Sequence, residues 1–241
     1  VTNSGTAQFR IKKWNKNTVC IYNGFDPELF KPVMPQKSER FEIIYTGTLG
    51  EPSGRDFELL IQAVQRMDKT GKITPITFHV SFYCGKISRT NNIKQRIVEL
   101  GIEQYFEFLP FVPISEVPKL YERASCLLLL SAKSGPNGTH GVMTTKFFEY
   151  LASNRPILCV RSDEECLEAA IKETNAGCAA RTVDERENYL STLYNEWQTS
   201  GGTTQGKTIE SKLSLYSRET QAKQFVDLFE SLIKARESAA K

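Results

Sequence analysis

Two stretches of this 241-residue chain contain the residue types needed to hold an anion. The first, Gly47 to Gly54, contains three glycines and is followed at once by Arg55. Glycines let backbone approach a ligand closely, and a guanidinium beside a helix start is placed to hold a phosphate. The other reading is that the glycines only turn the chain and Arg55 is solvated. The second stretch carries Gly135, Gly138 and Gly141 and ends where Thr144 or Thr145 can cap a helix. Free amides at such a helix start would face an anion. This stretch is neither the dinucleotide fingerprint, which follows a first strand, nor a P-loop, since no Gly-Lys-Ser/Thr is present.

Within the helix that follows, Lys146, Glu149 and Tyr150 are spaced to share one face, and Phe147 and Leu151 share another. A carboxylate there can accept two hydrogen bonds from a ribose diol. A solvated Lys146–Glu149 pair of little energetic weight is the alternative. His140 sits among glycines, where it could touch a sugar or phosphate or simply ride on a loop, whereas His79 lies mid-strand as a packing residue. The sequence has no cluster with metal-ligand spacing, no nucleophile elbow and no Ser/His/Asp signature. No metal and no cofactor are expected, and acyl-transfer chemistry is disfavoured.

The elements that must position these residues alternate in type. From Phe41 onward a short β-rich run is followed by a stretch at helical spacing, about six times over, which is the pattern of parallel βαβ units. Strands are predicted at Phe41–Tyr45, Ile76–Cys84, Tyr105–Leu109, Cys126–Leu130, Pro156–Val160 and Cys178–Ala180. Helices are predicted to open near Asp56, over Asn91–Leu100, over Ile114–Glu122, near Thr145, over Cys166–Thr174 and over Val183–Gln198. Cys126–Leu130 is continuously apolar, as a strand covered on both faces should be, and belongs at the centre of the sheet. Val19–Tyr22 reads as a further short strand, Thr199–Thr204 as a flexible stretch, and Phe225, Leu228, Phe229, Leu232 and Ile233 as the apolar face of a long terminal helix. The fold class is α/β, a doubly wound parallel sheet of Rossmann type. Its ligands are expected at the carboxyl ends of the strands, where strand order reverses.

Composition sets the outer bounds. Hydrophobic residues make up 40% of the chain and charged residues 24%, which excludes a disordered or membrane-spanning protein. The net charge of +3 is spread along the length, so no nucleic-acid partner is expected. The six cysteines form no Cys-x-x-Cys pair, and reduced thiols in a cytoplasmic protein are expected. The chain opens on Val1 with no basic-then-apolar leader, from which a domain cut out of a longer protein is expected.

In combination, several segments resemble the C-terminal domain of family 4 retaining glycosyltransferases of the GT-B fold. Val19-Cys20-Ile21-Tyr22-Asn23-Gly24-Phe25-Asp26-Pro27-Glu28-Leu29-Phe30 looks like that family's crossing from its first domain to its second, and Ile44-Tyr45-Thr46-Gly47-Thr48-Leu49 like the second domain's first strand and turn. Lys146-Phe147-Phe148-Glu149-Tyr150-Leu151-Ala152-Ser153-Asn154-Arg155-Pro156 resembles the helix-to-strand motif of the branch that builds bacterial surface polysaccharides. Tyr216-Ser217-Arg218 resembles the start of the closing helix. The resemblance implies three segments: residues 1–30 as the tail of a preceding domain and its linker, 31–215 as the nucleotide-sugar-binding domain, and 216–241 as a helix crossing toward the preceding domain.

By the same resemblance Glu149 holds the nucleotide ribose and Arg55 the phosphates. Gly47 and Thr48 form the loop beneath the donor, Met143, Thr144, Thr145 and Lys146 face the diphosphate and sugar, and Phe111 and Val112 receive the base. Two departures from the family pattern stand out. Thr48 replaces a second phosphate-binding arginine, and Gly141 replaces the first glutamate of the paired motif, so that Lys146 or His140 is left for the donor sugar. The implied partners are a nucleotide diphosphate sugar of UDP or GDP type and an N-terminal acceptor domain. The location implied is cytoplasmic, with peripheral membrane contact allowed to the full-length enzyme. Two rival readings are a nucleotide-sugar epimerase of the same fold and an inactive relative that only binds.

Overall fold

In the computed structural model, residues 18–49, 57–85, 91–130, 143–160 and 165–239 are described. Six strands form one parallel sheet: β1 (Phe41–Thr46), β2 (Phe78–Tyr83), β3 (Phe106–Leu109), β4 (Cys126–Leu130), β5 (Ile157–Val160) and β6 (Gly177–Ala180). Their order is β3-β2-β1-β4-β5-β6, every neighbouring pair parallel. The chain winds outward from β1 in one direction and then from β4 in the other, so strand order reverses between these two. The helices are α1 (Glu58–Lys69), α2 (Asn91–Glu99), α3 (Val117–Arg123), α4 (Thr145–Ser153), α5 (Glu165–Thr174), α6 (Val183–Ser200), α7 (Glu210–Leu213) and α8 (Arg218–Ala239).

Strand periodicity divides the core in two. Phe41, Ile43 and Tyr45 point to one face, where Leu60, Ile61, Val64 and Met67 of α1 and Leu190, Tyr194 and Trp197 of α6 cover them. Ile44 points to the other face and packs with Leu120 and Tyr121 of α3, Phe147, Phe148 and Leu151 of α4, and Leu167 and Ile171 of α5. All five residues of β4 are buried, and the strand lies between β1 and β5, as its continuous apolar run requires. α6 starts after Thr182 because its hydroxyl accepts the Glu185 N–H at 3.2 Å while the Glu185 carboxylate accepts the Thr182 N–H at 3.0 Å.

Several elements differ from their sequence reading. Val19–Tyr22 forms no strand. The bridge nearest to it among the described residues is Phe25 to Ser217, fixed by the Phe25 N–H donating to the Tyr216 carbonyl and the Arg218 N–H donating to the Phe25 carbonyl. Ile21, Phe25 and Phe30 are buried against the domain. β2 begins at Phe78 rather than Ile76, because a turn from Thr74 to Thr77 leaves Ile76 82% exposed. The helix expected from Ile114 opens as a 3-10 turn, Ile114–Glu116, and becomes α-helical at Val117. Thr199–Thr204, expected to be flexible, ends α6 at Gly201 and then buries Thr203 and Thr204, with Thr203 exchanging two hydrogen bonds with Gln36. The terminal helix is present, and its apolar residues Phe225, Phe229, Leu232 and Ile233 are exposed.

One side chain ties these outer segments to the domain. Arg155, just past the left-handed C-cap Asn154 of α4, is fully buried. Its Nε donates to the Tyr121 carbonyl at 3.0 Å, Nη1 to Thr204 at 3.0 Å, and Nη2 to Met34 at 2.9 Å and Glu122 at 2.7 Å. Burial lowers its pKa to about 10, so the guanidinium stays charged at neutral pH. Arg155→Met leaves four carbonyls without these donors and should lower the unfolding free energy by about 3 kcal/mol or more. Arg155→Lys should recover little of it, since one ammonium cannot span the fork. Urea unfolding tests this, and a loss below about 1 kcal/mol for the methionine variant would contradict it.

Candidate functional site

The reversal of strand order opens a crevice at the carboxyl ends of β1 and β4, the place where open α/β sheets take their ligands. β1 ends at Thr46, and the chain turns at Gly47, whose φ is +153° and whose N–H donates to the Tyr83 carbonyl at 3.0 Å. A Cβ there would lie 2.7 Å from the Tyr45 hydroxyl, so the turn admits only glycine. The same hydroxyl donates to the Thr48 carbonyl at 3.0 Å, which folds Gly47 and Thr48 over the end of the sheet.

On the other side of the crevice is the start of α4. Thr144 takes the N-cap position, with φ −65° and ψ 144°, and Phe147 N–H donates to its carbonyl at 3.0 Å. Its hydroxyl, however, makes no cap hydrogen bond. The sequence suggested Thr144 or Thr145 as a cap; Thr144 caps by backbone position alone, leaving first-turn amides that no capping side chain satisfies. Met143 is buried in the core beneath, and Thr145 is exposed.

Lys146 and Glu149 meet on the exposed side of α4, Nζ to Oε2 at 2.9 Å, with side chains 24% and 15% exposed. The pair is not an isolated solvated one. The Tyr121 hydroxyl of α3 donates to the same Oε2 at 3.0 Å and lies 3.2 Å from Thr46 Oγ1, while the Thr46 N–H donates to the Tyr150 hydroxyl at 3.4 Å. Among the described residues no donor reaches Oε1. Burial, then the neighbouring Tyr150 and Glu149, push the Tyr121 phenol well above its ordinary pKa. Burial likewise raises Tyr150. Both therefore stay protonated across the physiological range. The set can present one fixed carboxylate oxygen as an acceptor beside the unsatisfied end of a helix.

Beyond β2 and β3 lie the residues expected at the base. Phe111 is 56% exposed, its ring pressed against Gly85, and Val112 packs on the core. The Cys84 N–H donates to the Leu109 carbonyl at 3.1 Å, which joins the ends of the two strands beneath them. The structure thus brings Gly47, Thr48, Met143, Thr144, Thr145, Lys146 and Glu149 to the β1/β4 crevice, with Phe111 and Val112 further along the same sheet edge. Arg55, His140 and Gly141 lie outside the described residues. Sequence reasoning missed Tyr121 and Thr46. Tyr121 follows Val117 and Leu120 at helical spacing, and that pattern signals a core aromatic but says nothing about where its hydroxyl goes. No group of three potential metal ligands occurs among the described residues, nor does any helix there have the length and apolarity to cross a membrane.

A family model described as glycosyl transferases group 1 matches residues 40–195. A search of curated proteins found no match. Among solved structures, sucrose-phosphate synthase from Thermosynechococcus elongatus superposes with a TM-score of 0.67 at 17% identity, over 98% of this chain and 58% of that one. A glycosyltransferase from Rickettsia africae does so with 0.68 at 12% identity, over 97% and 62%. HepE of Anabaena, in complex with UDP and glucose, does so with 0.67 at 17% identity, over 96% and 62%. At such identities the likeness is one of fold, the Rossmann-like sheet with flanking helices found in GT-B glycosyltransferases. The chain spans about three fifths of these neighbours' lengths.

Gly85 and Gly71 both have positive φ, +73° and +66°, but they differ in surroundings. A Cβ at Gly85 would sit 2.2 Å from the Phe111 ring, and one at Gly71 would meet nothing within 4 Å. Gly71→Ala should cost about 1 kcal/mol from backbone strain alone. Gly85→Ala should cost about 1–3 kcal/mol more, because the ring must move. Equal losses in urea unfolding would mean that Phe111 does not rest on Gly85.

Proposed function

Because the chain belongs to the glycosyl transferases group 1 family, we propose that it is the donor-binding domain of a family 4 GT-B enzyme. In this reading the enzyme transfers a sugar from a nucleotide diphosphate, of UDP or GDP type, to a hydroxyl acceptor with retention of configuration, in surface-polysaccharide synthesis. A preceding domain supplies the acceptor side. The match to the family model and a GT-B neighbour crystallised with UDP and glucose support the class of donor. The observation that carries the reading is the Glu149 carboxylate at the strand-order reversal, with Oε2 held by Lys146 and Tyr121 and Oε1 unclaimed among the described residues.

Each group has a task in this reading. Glu149 Oε1 accepts from the ribose diol and sets the nucleoside's orientation. The first-turn amides of α4 and the Arg55 guanidinium take the diphosphate, whose negative charge grows as the glycosidic bond breaks. Lys146 adds a positive charge on the same side. Phe111 and Val112 border the base. The work of this domain is electrostatic and positional, and holding the donor in one geometry lowers the barrier before any acceptor arrives. An epimerase would need acid and base groups at the sugar, and the described ionisable groups of the crevice are taken up in the Lys146–Glu149–Tyr121 set.

Calorimetric titration with UDP, GDP and uridine provides the test. Saturable binding that needs the diphosphate and prefers one base is expected. Glu149→Ala should weaken it at least tenfold, about 1.4 kcal/mol, for nucleotide and nucleoside alike. Arg55→Ala should weaken UDP or GDP by a similar factor while leaving uridine unaffected. Parent-like affinity in both variants would sink the assignment. Transfer assays on the full-length enzyme then separate sugar transfer from epimerisation and from binding alone.

A further inference from the structure

We infer that Tyr121 is a positioning residue for the donor ribose, acting through Glu149 and locking its carboxylate to the end of β1. The inference rests on the donor-site reading of Glu149 and extends it to a residue on a different helix.

The hydrogen-bond chain has a defined direction. An ionised carboxylate only accepts, so the single proton of the Tyr121 hydroxyl goes to Glu149 Oε2 at 3.0 Å. Toward Thr46 Oγ1, at 3.2 Å, the phenol oxygen must then accept, and the threonine hydroxyl donates. Thr46 is 4% exposed and Tyr121 wholly buried, so water does not compete for the bond between them. Burial raises the phenol's pKa further above neutral, so it remains a donor at neutral pH. The order is therefore Thr46 to Tyr121 to Glu149, running from strand to α3 to α4.

Lys146 alone could not provide this. It lies one turn before Glu149 on the same helix, and its four-carbon stem is flexible, so that pair moves as a unit with α4 and its rotamers. Tyr121 comes from a different element, and its ring is clamped. It stacks on Phe30 at 5.9 Å between centroids and meets Tyr150 edge-on at 5.2 Å. The α3 backbone beneath it is held by Arg155 at the Tyr121 and Glu122 carbonyls. Two donors from different helices converge on one oxygen, leaving the carboxylate a single orientation with Oε1 presented.

The experiment is a double-mutant cycle on the full chain, with the parent, Tyr121→Phe, Glu149→Gln and the double variant titrated with UDP and with GDP. Tyr121→Phe keeps the ring and its packing, so the fold should be intact by circular dichroism. It is expected to weaken the preferred nucleotide about five- to tenfold, and to cause no further loss in the Glu149→Gln background. Equal losses in both backgrounds would overturn the inference, since Tyr121 would then act on the fold and not on Glu149. A loss with Glu149→Gln but none with Tyr121→Phe would overturn it and leave the donor-site reading standing. No loss with Glu149→Gln would sink both. A ligand-free crystal structure of Tyr121→Phe supplies an independent reading. The Glu149 carboxylate should lose its single position there, and an unmoved carboxylate would overturn the inference whatever the titrations show.

Discussion

Four backbone carbonyls from three separate stretches of chain converge on the buried Arg155 guanidinium, and the geometry of the crevice follows from that convergence. Two of them, Tyr121 and Glu122, belong to the last turn of α3, whose carbonyls have no helical partner and form the negative end of its dipole. The other two come from Met34, ahead of the sheet, and Thr204, after α6. A cation in a low-dielectric site is costly unless its donors are filled, and here backbone carbonyls take four of its five N–H groups with no carboxylate paired to it among the described residues. The Tyr121 carbonyl also accepts the Ala124 N–H, at 3.3 Å, so there Arg155 adds a second donor to a helix end. The effect is to fix the position of α3 against the base of α4.

α3 is pinned from more than one direction. Beyond its Arg155 contacts, Arg123 at its end donates to Glu42 Oε1 at 3.1 Å and to the Tyr83 hydroxyl at 2.9 Å, which attaches it to β1 and β2. Glu42 is 4% exposed and also accepts from Ser81 at 2.6 Å, so its charge too is compensated inside the sheet face. A seven-residue helix is too short to be stable alone, and tertiary contacts must hold it. Burial of Val117, Leu120 and Tyr121 and these polar anchors together do so, and their result is a phenol placed within hydrogen-bond reach of two side chains on different elements.

The parallel sheet was readable because a strand covered on both faces must be apolar throughout, and Cys126–Leu130 satisfies that rule with no polar residue. The Lys146–Glu149 pair was readable as well, since three-residue spacing on a helix is a purely local fact. What failed to show was long-range. Thr199–Thr204 has the composition of a loose linker, yet Thr203 and Thr204 are buried, with Gln36 exchanging two hydrogen bonds with Thr203 and Arg155 donating to the Thr204 carbonyl from far away in sequence. Val19–Tyr22 has strand-like residues but pairs with no strand among the described residues, and pairing rather than propensity makes a strand. Tyr121 reads as one more core aromatic, and only the packing of α3 across α4 reveals that its hydroxyl ends at a carboxylate.

On the proposed reading, that carboxylate illustrates why a binding acceptor is built into a network when a single exposed glutamate would be simpler. A free glutamate samples many rotamers, and binding must freeze them at a cost of about 0.5–1.5 kcal/mol for one such side chain. When Lys146 and Tyr121 both occupy Oε2, that ordering is complete in the folded protein before a ligand arrives. Partial burial of the pair strengthens each bond, and the positive ammonium offsets the charge that burial would otherwise penalise. The polar end of the crevice is therefore preorganised by the same contacts that hold α3 to α4. Folding stability and the geometry of the proposed acceptor are here one set of interactions, joined at Tyr121, whose backbone carbonyl serves Arg155 and whose hydroxyl serves Glu149.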